Sequence, residues 1–155
     1  RVKVINDRSD FQRAARELSL LNGPVYLLLS GHGDNTGYLA GSDYVSAADI
    51  SAAVNPLTNL KLLNFSACSV MAGPVPRQIL DELPAGRHLT ISGYTTVAGW
   101  GSSACLEFLY YDLILAQDLA PADAARTILK ELNFSGTHRT SDSPLEPLGF
   151  TFIER

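Results

Sequence analysis

Two strand-length apolar segments without regular alternation, Val25-Tyr-Leu-Leu-Leu29 and Leu60–Phe65, constrain the fold more than any other feature. A strand wetted on one face alternates apolar and polar residues. A strand covered on both faces does not, and such strands belong to parallel sheets flanked by helices. The segments around them fit that arrangement. Helical spacing of Phe11, Ala14, Ala15, Leu18 and Leu21 predicts a helix capped by Ser9 and stopped by Asn22-Gly23-Pro24. Ser46 is expected to cap a second helix through Ala48, Ile50 and Val54, halted at Asn55-Pro56. A third helix spans Val75–Leu83, with Pro76 tolerated in its first turn.

Further strands are expected at Val2–Ile5, His88–Ser92 and Phe150–Ile153, and a small excursion between Tyr38 and Tyr44. A long helix is expected from about Ser103 to Gln117, and another from Leu119 to near Leu132. Phe134–Pro147, polar and Pro-containing, is expected to be a loop. Strand–helix alternation of this kind predicts an α/β fold in one domain over residues 1–155, with a mostly parallel sheet sandwiched by helices.

Composition narrows the function classes. Apolar residues make up 46% and charged residues 18% of the 155 residues, enough to bury a sizeable core. A net charge of −4, a pI near 5.2 and scattered basic residues argue against direct nucleic-acid binding and polybasic membrane docking. No apolar stretch approaches the roughly 20 residues of a membrane span. Cys68 and Cys105 are too few for a disulfide scaffold. A working thiol would fit a reducing, cytoplasmic compartment. The chain opens at Arg1 and its one methionine is Met71, which predicts a fragment of a longer chain.

Chemistry concentrates where the buried strands end. In open α/β sheets, ligands bind beyond the carboxyl ends of the strands. Val25–Leu29 runs into Ser30-Gly31-His32-Gly33-Asp34, and Leu60–Phe65 into Ser66-Ala67-Cys68-Ser69. If these strands are neighbours, an imidazole and a thiol emerge on one edge. The thiolate is the attacking species, and a nearby imidazole takes its proton and later protonates a leaving amine. The backbone N–H groups of Gly33 and Cys68 are candidates for an oxyanion hole. Plainer readings stand beside these: Cys68 as a small buried hydrophobe, His32 as a turn residue, and Cys105 as core of its apolar helix. No metal site is expected from three histidines without motif spacing. The chain contains neither a G-x-S-x-G elbow nor a phosphate-binding Gly-rich motif.

The stretches Leu27-Leu-Leu-Ser-Gly-His-Gly33 and Leu62-Leu-Asn-Phe-Ser-Ala-Cys-Ser69 resemble the caspase-like (clan CD) cysteine peptidases, most closely the bacterial CHAT proteases. Ile91–Trp100 and the helix carrying Phe108-Leu-Tyr-Tyr-Asp-Leu113 are similar to the substrate-pocket strand and following helix of that fold, and the resemblance spans Val2 to Leu132. It implies a caspase-hemoglobinase-like fold and a cysteine endopeptidase with His32 as base and acid, Cys68 as nucleophile and Gly33 in the oxyanion hole. Cleavage would need no cofactor. It also implies a protein or peptide substrate and control by a partner or adjacent domain. Tyr94, Thr96 and Trp100 are the expected pocket residues. Gly101 stands where caspases carry an Arg, so aspartate selection is not expected. Ser66 stands two residues before the cysteine, where metacaspase-like members carry an acid. Asp34 and Asp43 are the alternative sources of a negative pocket. A catalytically silent scaffold of the same fold is the competing expectation.

Overall fold

The computed structural model describes residues 2–131, 137, 138 and 146–155. In chain order the elements begin with α1 (Arg8–Leu18), β1 (Val25–Ser30), β2 (His32–Asp34), β3 (Gly37–Ala40), β4 (Asp43–Val45), α2 (Ala47–Val54) and β5 (Leu60–Ser66). They continue with α3 (Val75–Asp81), β6 (Thr90–Tyr94), α4 (Trp100–Leu115), α5 (Pro121–Arg126), β7 (Thr137–His138), β8 (Glu146–Pro147) and β9 (Phe150–Glu154). The main sheet has the order β1-β5-β6-β9. Its first three strands are parallel and β9 runs antiparallel. A separate antiparallel sheet, β2-β3-β4, fills the excursion expected after β1.

Helices cover both faces. On one, Phe11 of α1, Ile50 and Val54 of α2, and Val75 and Ile79 of α3 pack on Val25, Leu29, Leu63, Phe65 and Ile91. On the other, Leu106, Tyr110 and Ile114 of α4 and Ala124 of α5 pack on Leu62, Tyr94 and Phe150. Alternation along β5 thus sends Leu63 and Phe65 to one layer and Leu62 to the other, and Ala67, just past the strand, joins the first. The α/β class and the helix-flanked, mostly parallel sheet agree with the sequence reading. Among the described residues no helix is long and apolar enough to cross a membrane.

Several boundaries differ from expectation, each for a local reason. Residues 2–5 form no strand. Val2 and Val4 are 94% and 80% exposed, and β-branched side chains favour a strand only where a neighbour supplies the ladder. Asp7, not Ser9, caps α1: its carboxylate accepts the Asp10 N–H at 2.8 Å, and the Ser9 hydroxyl donates to it. α1 ends at Leu18, before Leu21. β1 is not fully covered, because it is an edge strand of the main sheet; Leu28 is 41% exposed. β6 begins at Thr90 and α4 at Trp100, two residues later and three earlier than the pattern indicates. α5 ends at Arg126 and continues as a π-helical turn, Thr127–Glu131. Within the expected loop Phe134–Pro147, β7 and β8 pair antiparallel; its other residues lie outside the described ones.

Candidate active site

The register of β1 and β5 sets the site. Leu29 pairs with Phe65 and Ser30 with Ser66, so both strands leave the sheet level with each other. The Gly31 N–H donates to the Ser66 carbonyl at 3.2 Å, carrying the ladder past the strand ends. From β3, the Tyr38 hydroxyl donates to the Ser30 carbonyl at 3.0 Å and props the turn into His32. β2 then folds directly onto the segment around Cys68. A Cβ on Gly33 would lie 2.7 Å from Val70 Cγ2 and 3.1 Å from Ala67 Cβ, so only glycine permits this approach.

The next contact is closer still. A Cβ on Gly73 would lie 1.7 Å from the Asn35 carbonyl oxygen in the β2–β3 turn. Gly73→Ala must push that turn off the segment after Cys68. It is expected to destabilise the protein by at least about 1–3 kcal/mol, read as a lower urea midpoint at unchanged slope.

Cys68 is half-buried, and the chain turns sharply after it. Ser69 adopts the left-handed conformation (φ 56°), which costs a non-glycine residue roughly 1–2 kcal/mol. Its N–H donates to the Thr96 carbonyl at 3.0 Å, and Val70–Ala72 then form one 3-10 turn. The loop after β6 is held in turn: the Thr95 and Thr96 hydroxyls donate to the carbonyls of Gly149 and Leu148 at 3.0 and 2.9 Å. Three strand ends are therefore tied around one cysteine. His32 is exposed at the start of β2. No hydrogen bond joins its ring to the Cys68 sulfur among the described residues.

The structure sorts the remaining expected site residues. Asp34 is exposed and works as a turn acid, accepting from the Thr36 and Gly37 N–H groups and the Thr36 hydroxyl. The Thr36 hydroxyl above all holds its carboxyl below the usual range. Asp43 accepts the Arg8 N–H, which ties β4 to α1. Tyr94 is completely buried, so its ring belongs to the core and not to a pocket wall. Trp100 is the first residue of α4 and is 74% exposed. Cys105 is exposed, contrary to the expected core placement: α4 is apolar nearly all round, and the phase of the helix puts this residue outside.

One residue escaped the sequence reading. Glu107 of α4 accepts the Ser66 hydroxyl at 3.1 Å and the Tyr94 hydroxyl at 3.0 Å. Desolvation raises its carboxyl above the ordinary carboxylate range, opposed by the Ser66, Tyr94 and Asn64 side chains. The available signal was a lone acid in the apolar run Ala104–Tyr111.

The cavity lined by Lys3, Val4, Ile5, Asp10, Arg13 and Ala14 lies between the N-terminal segment and α1 and includes none of these residues. Among the described residues no group of three or more His, Cys, Asp or Glu side chains is placed to hold a metal ion. In comparisons with known proteins, the chain matches no family model, no curated protein and no solved structure.

Proposed function

We propose that the chain is a cysteine endopeptidase domain of the caspase-like kind, working through His32 and Cys68 on protein or peptide substrates. The observation that carries this reading is the level exit of β1 and β5, which brings the His32 and Cys68 segments to one sheet edge and packs one on the other. In the reaction, the His32 ring takes the thiol proton and Sγ attacks the scissile carbonyl carbon. The carbonyl electron pair moves to oxygen, held by the N–H groups of Gly33 and Cys68. Collapse breaks the C–N bond as the imidazolium protonates the amine. Water, deprotonated by His32, then hydrolyses the thioester and restores the thiol. A partner or adjacent domain would tighten the pair, since catalytic hydrogen bonds are often long before substrate binds.

The absent His32–Cys68 hydrogen bond favours a second reading, a catalytically silent scaffold of the same architecture. Thiol reactivity separates the two. Cys105 is exposed and serves as an internal reference for accessible thiol. With iodoacetamide at pH 6.5, Cys68 is expected to alkylate at least about tenfold faster than Cys105, because the thiolate is the reacting species and the His32 ring is there to take the Cys68 proton. His32→Ala should erase that excess. If Cys68 reacts more slowly than Cys105, with or without His32, the peptidase assignment fails and the scaffold reading stands.

A further inference from the structure

The end of β5 is held unequally on its two sides. Toward β1 the ladder runs on: Ser30 pairs with Ser66, and the Gly31 N–H donates to the Ser66 carbonyl at 3.2 Å. Toward β6 it stops one residue sooner, at the pair Phe65–Gly93. On that side the backbone is next tied at Ser69, whose N–H donates to the Thr96 carbonyl. Cys68 lies inside that interval. The Ser66 side chain bridges it, because its hydroxyl donates to Glu107 Oε2 of α4 at 3.1 Å and anchors the strand end to the helix layer. Ser66 thus serves both halves of the candidate pair. Its carbonyl holds the residue before His32, and its hydroxyl holds the strand end that leads to Cys68.

Glu107 is itself held in place. The buried Tyr94 hydroxyl of β6 donates to Glu107 Oε1 at 3.0 Å and lies 3.3 Å from the Ser103 carbonyl, one turn earlier in α4. Asn64 of β5 is fully buried and accepts the Ser92 hydroxyl at 2.9 Å; its side chain also favours the charged form of the Glu107 carboxyl. Groups from β5, β6 and α4 therefore converge on one carboxyl. Desolvation pushes that carboxyl toward its neutral form. The anchor survives protonation, since a neutral carboxyl keeps a carbonyl oxygen that accepts the Ser66 hydroxyl.

We propose that Glu107 is a positioning residue for the peptidase reaction: by holding the Ser66 hydroxyl it fixes the exit of β5, and through it the placement of Cys68 against His32. The reaction comes from the peptidase reading, on which this role rests. The anchor itself is a property of the resting chain. Neither Ser66 nor Glu107 takes part in bond making.

The test removes the two ends of the anchor separately. Ser66→Ala deletes the hydroxyl, and Glu107→Ala deletes its acceptor. Each is expected to lower kcat on a fluorogenic peptide at least about tenfold with KM within about twofold, since misplaced reacting groups lose rate while substrate still binds. The double variant should be no slower than the slower single one, because both substitutions break the same bond. Glu107→Gln keeps an oxygen that accepts the hydroxyl, so its kcat should stay within about threefold of the unsubstituted chain. Amide hydrogen exchange reads the anchor without turnover. In Ser66→Ala the Gly31 N–H should exchange at least about tenfold faster, while the core amides of Leu63 and Ile91 keep their rates. A kcat within twofold in Ser66→Ala overturns the proposal, as do losses that multiply in the double variant. A raised KM at constant kcat overturns it too, because Ser66 would then be a substrate contact. Should Glu107→Ala fail to fold, Ser66→Ala and Glu107→Gln decide. Cleavage that ignores both substitutions would uphold the peptidase and reject the positioning role. If the unsubstituted chain cleaves nothing, the peptidase reading falls and the role in catalysis with it, whereas faster Gly31 exchange in Ser66→Ala would still uphold the anchor.

Discussion

Cys68→Ala is expected to lower peptide hydrolysis by at least about a thousandfold, to background, while leaving the fold intact. Catalysis by attack of sulfur has no substitute when the sulfur is gone, whereas binding and oxyanion contacts alone leave only a small residue of rate. The structural cost is small because Cys68 is half-buried and its loop is held by backbone contacts, notably the Ser69 N–H to the Thr96 carbonyl. His32→Ala should cost a comparable factor. The double variant should be no worse than either single one, because residues that act as a unit lose their effect together. Initial rates on a fluorogenic peptide library, with circular dichroism as the folding control, measure all three. Turnover undiminished in Cys68→Ala would remove the nucleophile and the proposed mechanism with it.

How much of this was legible from sequence depended on whether the deciding partner was near in the chain. α2 was read to the residue because both ends carry their own signals: Ser46 and Asp49 form a reciprocal capping box, and Asn55-Pro56 closes the helix. β5 was legible from its unbroken apolar character, which the two covering layers demand. Where two local candidates competed, sequence had no means to choose. Asp7 and Ser9 are both good caps, and the backbone settled on Asp7. Where a segment needed a distant partner, the pattern misled. Val2 and Val4 look like strand residues but have no strand beside them.

α4 was the hardest element. Trp100, Ala104, Phe108 and Leu115 are apolar yet exposed, while Ser103 is buried, so hydrophobic periodicity carries almost no phase. Cys105 was misplaced for that reason. Glu107 was missed for a related one, since the groups that define its role, Ser66 and Tyr94, come from β5 and β6. Gly-rich surroundings of His32 drew attention to that loop, but only the fold reveals that the close approach is to Val70 and Ala67.

That approach sets the second large effect. Gly33→Ala is expected to reduce kcat/KM by about a hundredfold, because a displacement near 1 Å between reacting groups costs about that much. The added methyl would stand 2.7 Å from Val70 Cγ2, and Val70 is fully buried, so the side chain cannot swing away. Ala67 Cβ and the Gly37 carbonyl oxygen, each 3.1 Å away, close the other directions. Relief must come from moving β2, and His32 with it, off the Cys68 segment. Val70→Ala removes the obstructing Cγ2, so the double variant Gly33→Ala/Val70→Ala should recover at least tenfold of the lost rate, although Val70→Ala alone lowers stability. The recovery is the informative quantity: a general loss of stability would worsen with the second substitution, whereas a steric displacement is relieved by it. Kinetics of the four members of the cycle on one peptide give the coupling directly. If Gly33→Ala leaves the rate within twofold, contact between the two segments is not what assembles the catalytic pair.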